Sequence, residues 1–525
     1  MEQFEIAYPI LPDIIADYAK WQPDKEAVIF GEKRITWSEL NQEINRVANA
    51  LKDVGVQKGD KVCTLLDNSL EMLYLIFGIT KAGGVVVPLS PWLQQDAVSM
   101  MIEDSDAKAV FVGPGRENLI SPELIGNKTI SEESIFTVGY EKEGWPSYRQ
   151  FIAKASTQEP MVKIDPTGDF NVIYSSGTTG TPKGIVHTHY ARSMFGLALS
   201  YALRIYSDSR SLVTTPLFTN GTWVIMLPTI VVGGTLIIMP NFDILESLKL
   251  SQLERPSHAF MVPTQYYVIL NDPRFDDYDL SSYSVLISAG APMMKEMKLE
   301  IIERFGCDLT ELYGLTEGMA TFLAPQDVIR KCASVGKPIG GTDIRIIDEG
   351  GRELPRGEIG EIVGYAGPAM MRCYYKQPEK TREVMWFDEK GRAYIRSGDI
   401  GKLDEEGFLY ILDRKKDMIN RGGEKIYSLE VENLIFNYSK VLEVAVVGVS
   451  DSVLGEAVKA VVALKPGETA TEEEIRKFCA EHLADYKVPK FVEFVASLPR
   501  NPAGKVVKAE LRYVPGSQRK ESAAA

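Results

Sequence analysis

The sequence predicts an α/β protein built on parallel sheets, followed by a β-rich segment and a smaller lobe of mixed strands and helices. Three observations carry this. Strand-length apolar runs alternate with amphipathic helical patterns from residue 36 onward. Short strands and many turns replace that alternation after residue 333. The α/β pattern returns at residue 428. Strand–helix–strand order implies parallel neighbours joined by right-handed crossovers.

Taken in order, Thr36 is placed to cap a helix running through Leu40, Ile44, Val47, Ala48 and Leu51, and Gly55 ends it. A strand is expected from Lys61 to Leu66, a helix from Leu70 to about Ala82, and a buried strand from Val85 to Leu89. Similar units recur near 168–240 and 258–323. Trp223 to Pro240 is the most apolar stretch, and Pro228, Gly233 and Gly234 are expected to divide it into strand-sized pieces. Within 333–412, Gly340-Gly341, Glu349-Gly350-Gly351, Pro355-Arg356-Gly357 and Asp404-Glu405-Glu406-Gly407 mark the turns of a small β-subdomain. The charge run Asp413-Arg414-Lys415-Lys416-Asp417 is read as a domain boundary, with 1–415 before it and 416–525 after it. Beyond it, helices are expected at 428–437 and 471–483 and strands at 443–449 and 457–464.

Bulk properties narrow the function. A chain of 525 residues, 45% of them hydrophobic, has material for several cores. Its net charge of −14 argues against general binding to nucleic acid or anionic membranes. The five cysteines are scattered without a C-x-x-C pair, so neither a disulfide framework nor a zinc site is expected, and a reducing cytoplasmic location fits. Met1-Glu2-Gln3-Phe4-Glu5 is acidic and shows no signal-peptide pattern. No apolar run reaches the roughly 18 residues of a membrane span.

The chemistry concentrates in Tyr174-Ser175-Ser176-Gly177-Thr178-Thr179-Gly180-Thr181-Pro182-Lys183-Gly184. Glycines let the backbone approach an anion, successive N–H groups form an anion-binding nest, and the hydroxyls and Lys183 add donors and charge. A flexible linker is the bland alternative, but linkers seldom follow a buried strand directly. A Walker A loop is excluded, because Pro182 stands where its second glycine belongs and Gly184 where its metal-binding hydroxyl belongs. A Mg²⁺ ligand must therefore come from elsewhere.

Four further segments are chemically suggestive: Ser288-Ala289-Gly290-Ala291-Pro292, Glu311-Leu312-Tyr313-Gly314-Leu315-Thr316-Glu317, Tyr394-Ile395-Arg396-Ser397-Gly398-Asp399 and Asn501-Pro502-Ala503-Gly504-Lys505. Tyr313 offers a flat ring to a base, and Gly314 permits close approach. Glu317 is a hard oxygen ligand of the kind Mg²⁺ takes alongside phosphate oxygens. Taken singly, each residue has an ordinary structural reading: a core tyrosine, a solvated glutamate, an Asx turn at Asp399, a surface lysine at 505.

With the glycine-rich loop, these segments resemble, in order and over nearly the whole chain, the signature of the adenylate-forming enzymes, which include acyl-CoA synthetases, luciferases and peptide-synthetase adenylation domains. The resemblance implies a large N-terminal domain of two doubly wound sheets plus a distorted β-barrel, and a small mobile C-terminal α+β domain swinging about a hinge near Lys416. It implies that Ser175, Ser176, Gly177, Thr178, Thr179, Gly180 and Lys183 hold ATP phosphates. Thr316 would lie by the α-phosphate and Glu317 would bind Mg²⁺. Gly290, Ala291, Pro292, Tyr313 and Gly314 would line the base, and Asp399 with Arg414 the ribose. Lys505 would bridge the attacking carboxylate and the α-phosphate, and Gly422 and Gly423 would line the tunnel for the pantetheine of coenzyme A. His189 is structural by family position, and neither it nor His187 carries a catalytic assignment.

Two departures bear on the substrate. Many acyl- and aryl-CoA ligases follow Pro216-Leu217-Phe218 with a histidine, and here Thr219 and Asn220 follow. Amino-acid-activating relatives carry an aspartate in this region, and Pro216 to Trp223 contains none, which argues against an α-amino acid. The expected activity is an ATP-dependent carboxylate–CoA ligase acting on an apolar fatty or aromatic acid. Transfer to a carrier-protein phosphopantetheine, a luciferase-like monooxygenase and a non-catalytic nucleotide-binding protein are the alternatives. The expected partners are the acid and coenzyme A, with no nucleic acid; a homodimer is compatible with this reading.

Overall fold

The computed structural model describes residues 8–127, 129–175, 182–500 and 506–513. It divides into two compact units, one of residues 1–343 with 364–395, the other of 344–363 with 396–525.

The first unit contains two large sheets. One has eight strands in the order Met319–Leu323, Asp308–Leu315, Val285–Ala289, His258–Met261, Arg210–Val213, Thr235–Ile238, Glu26–Phe30 and Lys33–Thr36. Its inner strands are parallel and its two edges antiparallel. The other has seven, ordered Cys373–Tyr374, Lys183–Thr188, Asp169–Ser175, Val85–Pro88, Lys61–Leu65, Ala107–Val112 and Ile135–Thr137. Strands such as Val85–Pro88, Thr235–Ile238 and His258–Met261 are buried along their whole length, as parallel strands covered on both faces must be.

The helices form where capping and periodicity place them. Thr36 accepts from the Glu39 amide while the Glu39 carboxylate accepts from the Thr36 amide, and this capping box opens the helix Trp37–Asp53. Ser69 caps Leu70–Lys81, a helix buried on every side. The expected break-up of Trp223 to Pro240 is corrected here. Asn220–Val231 is one continuous helix through Pro228, and only Thr235–Ile238 is strand. Burial outweighs the proline: residues Thr222 to Val231 are all buried. The helix packs tightly on His189–Leu203, where a Cβ on Gly196 would lie 2.7 Å from Val231.

Leu409–Arg414 and most of Asp343–Ile347, Gly360–Tyr365 and Ala393–Leu403 belong to the β-rich sheet of the second unit. Its C-terminal part is a sheet ordered Glu424–Ile426, Ile419–Arg421, Gly455–Leu464 and Val441–Asp451, with Phe491–Phe494 parallel to Gly455–Leu464. Helices Ser428–Phe436 and Glu472–Ala480 cover one face, burying Val431, Ile435, Ile475 and Cys479 against Val446, Val458 and Val462.

Candidate active site

The strand Asp169–Ser175 leads into the glycine- and hydroxyl-rich segment, and Lys183–Thr188 returns antiparallel to it. Ser175 stands opposite Lys183 and Tyr174 opposite Gly184. A Cβ on Gly184 would meet the Val172 side chain at 2.8 Å, so this register needs glycine. Ser176, Gly177, Thr178, Thr179 and Gly180 lie outside the described residues.

Three residues far apart in sequence meet beside this segment. The Lys183 ammonium lies 5.0 Å from the centre of the Tyr374 ring. The Tyr374 hydroxyl donates to Glu317 Oε1 at 2.7 Å. Burial, reinforced by the Glu317 charge, raises the Tyr374 pKa far above that of an ordinary phenol, so Tyr374 stays a donor and Glu317 the acceptor. The Met371 amide also donates to the Glu317 carbonyl at 2.8 Å.

Thr316 is held from the other side. His187 Nε2 donates to the Thr316 carbonyl at 2.9 Å, and the imidazole faces the Asn171 amide nitrogen at 3.4 Å. Asn171 Oδ1 accepts from Arg192 Nε at 2.7 Å. Burial first, and the nearby Arg192 charge second, push the His187 pKa well below the usual imidazole range, so His187 is neutral.

The segments expected around a base sit at the carboxyl ends of parallel strands, where open α/β sheets bind ligands. Val285–Ala289 ends at Gly290, which adopts φ +90°, a left-handed conformation that glycine tolerates. Gly290, Ala291 and Pro292 are exposed, while Ser288 is buried. Tyr313 and Gly314 lie near the end of Asp308–Leu315, opposite Thr321 and Ala320. A Cβ on Gly314 would come 2.4 Å from the Met319 carbonyl.

Thr219 caps the helix Asn220–Val231, accepting from the Thr222 amide and donating to the Pro216 carbonyl at 3.0 Å. Its hydroxyl is thus committed to local backbone. Next to it a cavity of about 130 Å³ is lined by Asp67, Asn68, Trp92, Phe218, Phe242 and Gln265, among others. The Trp92 and Phe218 rings meet edge to face, centroids 5.3 Å apart.

The remaining expected residues belong to the second unit. Asp399, 7% exposed, pairs across the sheet with Arg414, whose Nε lies 3.8 Å from its carboxylate. Gly422 and Gly423 have φ +62° and +97° and join Ile419–Arg421 to Glu424–Ile426 in a two-residue hairpin turn. The Lys416 carbonyl accepts from Arg512 at 2.9 Å. Lys505 lies outside the described residues.

Residues 15–375 match the model of the AMP-binding enzyme family, and 430–505 match that of the AMP-binding enzyme C-terminal domain. The chain belongs to the AMP-binding enzymes. The long-chain-fatty-acid–CoA ligase FadD13 of Mycobacterium tuberculosis is 35% identical to it, over 91% of this chain and 93% of that one. A feruloyl-CoA synthase from Amycolatopsis is 34% identical, over 94% and 96%. The structure of ATP-bound MatB from Rhodopseudomonas palustris superposes with a TM-score of 0.87 at 32% identity, covering 95% of this chain and 98% of that one. This AMP-binding enzyme therefore has the fold of the adenylate-forming superfamily, and the first two relatives just named are a CoA ligase and a CoA synthase.

Several site residues of this AMP-binding enzyme carry no sequence signal of their own. Tyr374 sits in an ordinary Cys373-Tyr374-Tyr375 run, and Asn171 in an apolar strand. Only the fold brings Tyr374 to Glu317, and Asn171 to the His187 that holds Thr316. The turn also fits a magnesium ion bound with nucleotide. Glu317 is an oriented, partly buried carboxylate, and the described residues contain no cluster of three His, Cys, Asp or Glu that would cage a metal by protein alone. A single oriented carboxylate is what Mg²⁺ takes beside phosphate oxygens. Among the described residues no helix is long and apolar enough to cross a membrane.

Proposed function

We propose that the chain is an ATP-dependent carboxylate–CoA ligase that forms AMP and pyrophosphate and acts on an apolar fatty or aromatic acid. The observation that supports it most is the meeting of Lys183, Tyr374 and Glu317 beside the glycine-rich segment. A cation and an oriented carboxylate thus meet at the end of the strand pair Asp169–Ser175 and Lys183–Thr188.

In the first step a carboxylate oxygen attacks the α-phosphorus of ATP, the bond to the bridging α–β oxygen breaks, and pyrophosphate leaves. Such chemistry relies on positioning and on fixed charge. Ser175 and Lys183, with Ser176, Gly177, Thr178, Thr179 and Gly180, hold the phosphates. Thr316 orients the α-phosphate. Glu317 holds Mg²⁺, which when bound supplies charge neutralisation for the polyphosphate. Gly290, Ala291, Pro292, Tyr313 and Gly314 receive adenine, and Asp399 with Arg414 the ribose. Lys505 pairs the two anions that must approach each other. In the second step the C-terminal domain turns about Lys416, and Gly422 and Gly423 line the path of the pantetheine arm. The thiol sulfur then attacks the acyl carbonyl, its proton passes to solvent, and AMP leaves.

The relatives' activities support an apolar acid, as does Phe218, which lines the cavity beside Thr219. A panel of fatty and aromatic acids incubated with ATP, Mg²⁺ and coenzyme A tests the reading. Thioester masses with AMP as co-product are expected. ADP as co-product would refute it.

A further inference from the structure

We infer that Arg192, Asn171 and His187 form a polarised hydrogen-bond chain that positions the Thr316-Glu317 turn for nucleotide; this rests on the ATP-dependent reading above.

The direction of the chain follows from its first member. A guanidinium is donor-only, so the Asn171 atom facing Arg192 Nε must be the carbonyl oxygen. That fixes the amide, turning its NH₂ toward His187 Nδ1 and the Ile185 carbonyl, each at 3.4 Å. Nδ1 then accepts, and the proton resides on Nε2, which meets a group that can only accept, the Thr316 carbonyl at 2.9 Å. One buried cation thereby dictates every donor and acceptor up to the turn.

The placement is costly. Asn171 is 0%, His187 1% and Arg192 1% exposed. No carboxylate pairs with Arg192 among the described residues; its guanidinium lies 4.7 Å from the Trp223 ring instead. Burial without an anion lowers its pKa to about 9. A buried charge without an anion costs stability rather than adding it. The register supplies the rest: Asn171 and His187 are directly opposed on the two strands flanking the glycine-rich segment, and Arg192 lies in the first turns of the helix His189–Leu203. The same strand pair thus carries the ends of the phosphate segment and grips the turn bearing Glu317. All three are positioning residues acting through the Thr316 carbonyl.

The test measures the MgATP Kd by calorimetry, the kcat and KM for acyl-AMP formation, and the thermal midpoint. His187→Asn shortens the reach to Thr316; His187→Gln returns an amide N–H to the position of Nε2. His187→Asn is expected to weaken MgATP binding about tenfold and leave the KM for the acid unchanged, as loss of a supporting hydrogen bond does at other ligand sites. His187→Gln is expected to recover most of the loss. Should His187→Asn fail to fold, His187→Leu, which suits a buried strand, carries the same expectation. An unchanged MgATP Kd in the loss variant, or a Gln variant no better than it at equal thermal midpoint, overturns the inference. Wild-type protein that binds no MgATP overturns the proposed function and this inference together. Wild-type protein that binds MgATP but makes no thioester overturns only the CoA-ligase reading, and the Kd comparison still decides the chain.

Discussion

Tyr374 donates its hydroxyl proton to Glu317 at 2.7 Å while the Lys183 ammonium sits over its ring. One side chain thereby orients the carboxylate proposed to hold magnesium and offers its π-face to the cation proposed to hold phosphate.

Tyr374→Phe keeps the ring and removes only the hydrogen bond. The Mg²⁺ concentration giving half-maximal acyl-AMP formation is expected to rise about tenfold, with little change in thermal midpoint. A magnesium titration superimposable on wild type would show that the hydroxyl does not serve Glu317.

Asp399→Asn keeps the size of the side chain and removes its charge. Because Asp399 is nearly buried and faces Arg414, its proposed bonds to a ribose diol are charge-assisted. The KM for ATP should rise by about tenfold, with the KM for the acid unmoved. Steady-state kinetics with each substrate varied in turn decides it.

Lys505→Ala separates the two half-reactions. Acyl-AMP formation should fall by about a hundredfold or more, as when a transition-state donor is removed, while thioester formation from supplied acyl-AMP falls far less. Equal losses in both would count against the proposed role.

Gly314→Ala drives a Cβ to 2.4 Å from the Met319 carbonyl, inside an antiparallel pair that cannot give way without breaking register. A destabilisation of about 2 kcal/mol is expected from such overpacking, visible as a lowered urea midpoint. The same midpoint as wild type would mean that the turn relaxes freely.

Acid should destabilise the fold partly through His258. Burial lowers its pKa to about 4, against about 6.5 for an ordinary imidazole. Between these values the unfolded chain binds a proton that the folded chain does not. The stability this group contributes is therefore intact above pH 6.5 and is lost as pH falls toward 4, at about 1.4 kcal/mol per pH unit. His258→Gln should flatten the dependence of unfolding free energy on pH in that window by about one proton. An unchanged slope would show that His258 does not titrate differently on folding.

Much of this was legible in the chain. Thr36 announces the cap of the helix Trp37–Asp53, and the strand before Ser175 is a local apolar run. The glycine-rich segment and the Tyr313–Glu317 segment declare their chemistry by composition. Local rules misjudged Pro228, because a proline's cost inside a helix is local, whereas the burial that outweighs it comes from the neighbouring helix His189–Leu203. Tyr374 was equally out of reach: it meets Glu317 only because Cys373–Tyr374 joins Lys183–Thr188 at a sheet edge.

The sequence by itself determined which groups are available to bind a nucleotide and the order of helices and strands that carries them, since capping, periodicity and turn chemistry act within a few residues. Tertiary structure alone decided which side chains hold those groups in place. Tyr374 on Glu317, and Arg192 through Asn171 and His187 on Thr316, are pairings across sheets. They are set by strand register and by the need to satisfy buried polar groups, and no local spacing encodes either.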